Sequence, residues 1–220
     1  METRTLYHNE LAKLVAETLV LGELAADAIE TAVRQLVAFD RTGASRLIDG
    51  DARINERRMG LERALLQLIA TQQPVARDIR LVAAMLDIAG ELERIGDYAK
   101  GIATIQLKLD TELAPGVVRL LDRMVDSAVS MLRSSLTAFE ILDAEAARRI
   151  VQEDDVVDGL FRELFAHVMH WGGVDDAVLE RANYVLWIAH NIERTADRVT
   201  NICERVVFTA TGDQVDLDPS

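Results

Sequence analysis

The sequence predicts an all-α chain built as two three-helix bundles related by an internal pseudo-two-fold repeat. Three observations carry that expectation. The composition is half apolar with 5 % aromatics and three prolines, and it is dominated by Ala, Leu, Val, Glu, Asp and Arg, a bias typical of helices packed on helices. Apolar residues recur at helical spacing through the long segments. Finally, a stretch in the first half returns in the second: Glu93, Arg94, Asp97 and Ile102 reappear one hundred positions later as Glu193, Arg194, Asp197 and Ile202.

Breaks are expected at Gly43, Pro74, Pro115-Gly116 and the Gly172-Gly173 pair, because proline is tolerated at a helix start and glycine interrupts a helix. They delimit helices over 3–40, 46–71, 75–109, 116–141, 144–171 and 175–208. "LVAFD" at Leu36–Asp40 matches "LTAFE" at Leu136–Glu140, again offset by one hundred, whereas "DARIN" at Asp51–Asn55 aligns with "DDVVD" at Asp154–Asp158, offset by 103. The second copy therefore has three extra residues in one turn and three fewer in the next, as expected of a true duplication. Residues 1–112 and 113–208 form the two repeats, and 209–220, acidic and aperiodic, a loose tail.

Charge narrows the function. With 37 acids against 24 bases the net charge is −13, so most of the surface repels a phosphate backbone and nucleic acid is not an expected partner. The N-terminus lacks a signal-peptide core, and no uncharged stretch approaches the ~20 residues of a membrane span. A cytoplasmic protein without direct membrane insertion is expected. Cys203, the one cysteine, occupies a slot in a helical repeat and reads as a small buried apolar residue. No nucleophile–base arrangement or phosphate loop is evident, so catalysis is not expected.

The acids themselves are arranged. At 100° per residue, Ile88, Ile95, Ala99 and Ile102 cluster about 180–240° from Glu93, while Asp97 lies about 40° from it. Ile188, Thr195, Val199, Ile202 and Val206 form the matching stripe of the second copy, with Glu193 and Asp197 facing away. Asp154 and Asp158 flank the stripe of Val157, Leu164, Val168 and Trp171, and Asp51 and Asn55 stand in the same relation to Ile54, Leu61, Leu65 and Leu68. Antiparallel packing of the second and third helices of each copy would bring two pairs together at an outer groove. A solitary i,i+4 acid pair is ordinarily solvated surface. Four oxygen-rich pairs in matching helices suit hard or borderline cations. His190, three residues before Glu193, is a candidate extra nitrogen ligand that Gly90 does not match, and His8, His167 and His170 have no spacing partners. Arg94 and Arg194 read as salt-bridge or bundle-contact residues.

"ELERIGDYAKGIA" and "NIERTADRVTNIC" resemble the twin E-R-I-G-D-x-A-x-x-I signatures of the PhoU family of phosphate-signalling regulators. "DARIN" and "DDVVD" are similar to its D-x-x-x-D partners, and "QQPVARDIR" (Gln72–Arg80) to the segment before its first signature. The resemblance spans nearly the whole chain. It implies two three-helix bundles whose carboxylate motifs carry iron, zinc or other metal clusters on the surface, in a homodimeric cytoplasmic regulator rather than an enzyme. It also implies binding to the ATPase subunit of the high-affinity phosphate ABC transporter and to the sensor histidine kinase, holding phosphate-starvation signalling down when phosphate is plentiful. Carried over by position, the metal candidates are Asp51, Asn55, Glu93 and Asp97, then Asp154, Asp158, Glu193 and Asp197. Asn55 stands where the family has Asp, which removes a charge and weakens the first set, and Arg194–Asp197 reads R-T-A-D where R-I-G-D is usual. The alternatives are an accessory regulator of a low-affinity phosphate permease, a helical scaffold whose acids only solubilise, and a carboxylate di-metal oxidase or metal-storage protein. The last requires Glu-x-x-His on two inward helices.

Overall fold

The computed structural model describes residues 2–171 and 175–217, with side chains from residue 6 onward. Among the described residues eight helices and no strands occur, in the order α1 (Glu2–Val37), α2 (Arg41–Gly50), α3 (Ala52–Gln72), α4 (Arg77–Gln106), α5 (Pro115–Ile141), α6 (Ala144–Val151), α7 (Asp154–Met169) and α8 (Asp176–Thr211). Helices α1–α4 are the first repeat and α5–α8 the second. The all-α duplicated architecture is the one expected; six helices is a correction to eight. Segment 46–71 divides at Asp51 and segment 144–171 divides at Gln152–Glu153. Both breaks fall beside the D-x-x-x-[ND] motifs, and neither contains glycine or proline.

Side-chain caps begin the two short helices. Asp40 accepts a hydrogen bond from Gly43 N to start α2, and Asp143 accepts from Ala146 N to start α6, each satisfying an orphan amide of a first turn. Gly43 therefore lies inside α2 rather than breaking a helix. Before each cap a non-glycine residue turns left-handed, Phe39 at φ 51° and Leu142 at φ 54°. These equivalences are 103 positions apart, so Asp40 corresponds to Asp143 and not to Glu140, and the three extra residues precede Leu142. Pro115 opens α5 at its first turn, as expected. Pro74 instead lies in a linker where Gln73 and Ala76 both have positive φ, and α4 starts at Arg77. The Gly172-Gly173 break lies outside the described residues.

Every predicted stripe residue of α4 and α8 is fully buried: Ile88, Ile95, Ala99 and Ile102 on one, Ile188, Thr195, Val199, Ile202 and Val206 on the other. These two helices pack on each other across the repeat boundary, as do α1 and α5. One core, with Phe139, Ile29, Leu65 and Leu121 among its largest buried side chains, thus runs through both repeats. Where α1 meets α5, Gly22 leaves no room for a side chain, since a Cβ there would lie 2.5 Å from Leu136 Cδ1. The connection between repeats is held from both sides. Arg41 donates to the carbonyls of Leu107 and Leu109, and Arg181 to Thr111 Oγ1 and the Glu112 carbonyl.

Cys203 is fully buried, and burial pushes its thiol up to about 12, so it carries no thiolate at neutral pH. Residues 209–217 of the segment expected to form the tail are described. Helix α8 runs to Thr211, Gly212 reverses the chain at φ 90°, Leu217 N donates to Glu204 Oε1, and Val215 and Leu217 pack on the core.

Candidate metal-binding grooves

The first groove lies where α3 meets α4. Gly96 permits the approach, because a Cβ there would stand 3.0 Å from Ile54 Cδ1. Asp51, at the α2–α3 junction, is only 8 % exposed. Its Oδ2 accepts from Lys100 Nζ at 2.8 Å and from Asn55 Nδ2 at 3.3 Å. Asp97 joins them from α4: burial raises its pKa, and repulsion from Asp51 adds to that, against the opposing pull of Lys100. Lys100 is itself held more firmly protonated by the hydrogen bond and charge of Asp51. Glu93 stands half-buried one turn before Asp97.

The second groove lies between α7 and α8. Glu193 and Asp197 are 22 % and 33 % exposed at their side chains, so they are less solvated than the helical wheel implies. Burial raises both carboxyl pKa values. For Glu193, repulsion from Asp197 adds most to that and Asp158 contributes further; for Asp197, Arg194 and Arg198 pull the other way while Asp158 again raises it. The expected convergence of Asp158 with Glu193 and Asp197 therefore occurs. Asp154, half-buried, begins α7 one turn before Asp158. His190 Nδ1 is 2.9 Å from Glu193 Oε2 and opposes the rise in the Glu193 pKa. Arg194 Nε lies 3.5 Å from Asp197 Oδ2, the salt-bridge role expected of it.

Among the described residues no three His, Cys, Asp or Glu side chains already stand in a ligating arrangement. Asp51 and Asp97 in the first set, and Asp158, Glu193 and Asp197 in the second, are in electrostatic contact rather than in a closed cage. The second set fits a hard or borderline cation by its donors: oxygen ligands, partly withdrawn from water, with raised pKa values that a cation would lower. Sequence reasoning missed Lys100. Its one advance signal was an acid–base i,i+3 spacing from Asp97, which reads equally as a solvated helix pair.

A duplicated helical bundle with facing carboxylate motifs on the second and third long helices of each half defines the class. The chain belongs to the PhoU family: the PhoU domain model matches residues 18–105 and 121–206. It is 31 % identical over 217 residues to the phosphate-specific transport system accessory protein PhoU homolog of Clostridium acetobutylicum, covering 98 % of this chain and 99 % of that one. It is 32 % identical over 213 residues to the phosphate-specific transport system accessory protein PhoU of Serratia marcescens, covering 95 % and 86 %. The crystal structure of the phosphate transport system regulatory protein PhoU from Streptococcus pneumoniae superposes with a TM-score of 0.88 at 31 % identity, over 96 % of this chain and 99 % of that one. PhoU from Pseudomonas aeruginosa gives 0.84 at 26 % identity, over 94 % and 100 %. The family is one of regulatory and accessory proteins, which places the chain in phosphate-transport regulation. No described helix is long and apolar enough to cross a membrane.

Proposed function

We propose that this protein is a cytoplasmic, homodimeric negative regulator of phosphate uptake and phosphate-starvation signalling. It acts by binding the ATPase subunit of the phosphate ABC transporter and the sensor histidine kinase, and has no turnover of its own. The observation that carries this reading is the end-to-end match to accessory proteins of a phosphate-specific transport system, over 98 % of the chain. The second groove adds a metal function. Asp158, Glu193 and Asp197, with Asp154 and His190 alongside, would hold iron or zinc, and the ion would neutralise their mutual repulsion and fix α7 against α8. The ferritin-like oxidase is disfavoured by His190, whose side chain is 56 % exposed rather than turned into a bundle core.

The test is deletion of the gene in its own cell, with expression of phosphate-uptake genes measured in high phosphate. Derepression that the wild-type gene reverses is expected. Unchanged expression, with no paralogue present, overturns the proposal. Affinity purification then separates the two transporter readings: recovery of the ABC transporter ATPase supports this one, and recovery of a low-affinity permease instead replaces it.

A further inference from the structure

We propose that the first groove is a metal site replaced from within, its cation supplied by Lys100, so that the protein holds metal in the second groove alone. The second clause rests on the metal reading given above. The first stands on the local geometry.

Lys100 Nζ lies 2.8 Å from Oδ2 of Asp51, the most buried carboxylate among the eight motif positions, and is one turn from Asp97 on α4. The same Asp51 oxygen accepts from the Asn55 amide at 3.3 Å. An amide turned to donate to its neighbour presents N–H where a ligand must present a lone pair. Both features are missing from the second repeat. Asp158 stands in place of Asn55, and the residue one hundred positions after Lys100 is Thr200, whose hydroxyl donates to the Asp197 carbonyl at 2.7 Å. Asp51, Glu93, Asp97 and Lys100 carry a formal charge of −2, while Asp154, Asp158, Glu193 and Asp197 carry −4.

The arginines of the second repeat do not play the part of Lys100. Arg194 approaches Asp197 only to 3.5 Å, and Arg198 is bonded to Glu91 at 3.3 Å. A divalent ion entering the first groove would meet an ammonium already hydrogen-bonded to its best-buried ligand and would have to expel it, whereas in the second the arginine beside the carboxylates, Arg194, stands off Asp197 at 3.5 Å.

The experiment counts bound Mn2+, a carboxylate-seeking ion, by loss of the free-ion electron paramagnetic resonance signal. Four full-length chains are compared: wild type, E193Q/D197N, K100M, and K100M/E193Q/D197N. Expected results are uptake by wild type, loss in E193Q/D197N, and recovery in K100M/E193Q/D197N. A second readout is thermal: without metal, K100M melts below wild type because Asp51 has lost its counter-ion, and Mn2+ restores the difference. Retention of Mn2+ by E193Q/D197N, or failure of K100M/E193Q/D197N to bind, overturns the inference. If wild type binds none while K100M/E193Q/D197N binds, the metal reading of the second groove fails and the role of Lys100 stands. Should K100M lose helicity by circular dichroism, K100Q, which keeps an amide donor for Asp51, replaces it with the same expected outcomes.

Discussion

Arg198 on α8 brings Nη1 within 3.3 Å of Glu91 Oε2 on α4, and this contact joins the two repeats at their signature helices. The same oxygen accepts from Asn201 Nδ2 at 3.3 Å, while Oε1 accepts from Arg94 at 3.3 Å. Glu91 and Arg198 are 16 % and 15 % exposed at their side chains, so water replaces neither well. Glu91→Ala is expected to destabilise the protein by roughly 1.5–3 kcal/mol, the worth of hydrogen bonds to a charged group, read as a lower urea midpoint at unchanged slope.

Metal content distinguishes the two grooves. Glu193→Ala with Asp197→Ala should lower the metal found by elemental analysis of protein purified without chelator, whereas Glu93→Ala with Asp97→Ala should leave it unchanged. Neither pair belongs to an apolar stripe. Stability without metal should therefore move by no more than about 0.5 kcal/mol.

Glu193 also predicts a pH dependence. Its pKa is raised in the folded state, by burial first and by Asp197 next, so the folded chain prefers the protonated carboxyl. That contribution to stability is complete below the unfolded carboxylate pKa, and is lost as pH rises through the raised native value. Glu193→Gln removes the charge permanently. The metal-free variant should exceed wild type at pH 7 by roughly 0.2–0.5 kcal/mol, the scale of an i,i+4 like-charge pair, and the gain should vanish toward the acid end of the carboxylate range. Thermal melts across that range measure it.

Gly22 sits at the closest approach of α1 and α5, where a Cβ would meet Leu136 at 2.5 Å. Gly22→Val should cost roughly 1–3 kcal/mol by overpacking. Gly90, against whose Cβ nothing lies within 4 Å, provides the control: Gly90→Ala should stabilise by up to about 1 kcal/mol through helix propensity.

The stripes and the repeat were legible because burial of apolar side chains imposes a helical period on the sequence. Ile88, Ile95, Val199 and Ile202 could be placed from spacing alone. The divisions at Asp51 and Glu153 were not. Asp51 retains right-handed helical dihedrals, φ −56° and ψ −34°, and a kink that preserves the dihedrals disturbs the period too little to be seen. The convergence of Asp158 with Glu193 followed from the motif spacing once the second and third helices of the copy were taken as antiparallel. Lys100 was hidden for a different reason: its partner Asp51 is 49 positions away, and a lysine on a helix rim looks the same in sequence whether it faces water or a carboxylate. Val215 and Leu217, which touch the core from the C-terminal segment, are too few to show a period.

The packing of α4 against α8 and of α1 against α5 makes the chain a dimer fused into a single polypeptide. In a dimer of identical subunits every substitution is made twice, so a lysine that closes one cleft closes both. Covalent joining removes that constraint: the halves keep the interface that demands likeness, while their carboxylate clefts are free to become unlike. Lys100 where the second half has Thr200, and Asn55 where it has Asp158, are the asymmetry that such freedom allows, while the shared core keeps its matching stripes.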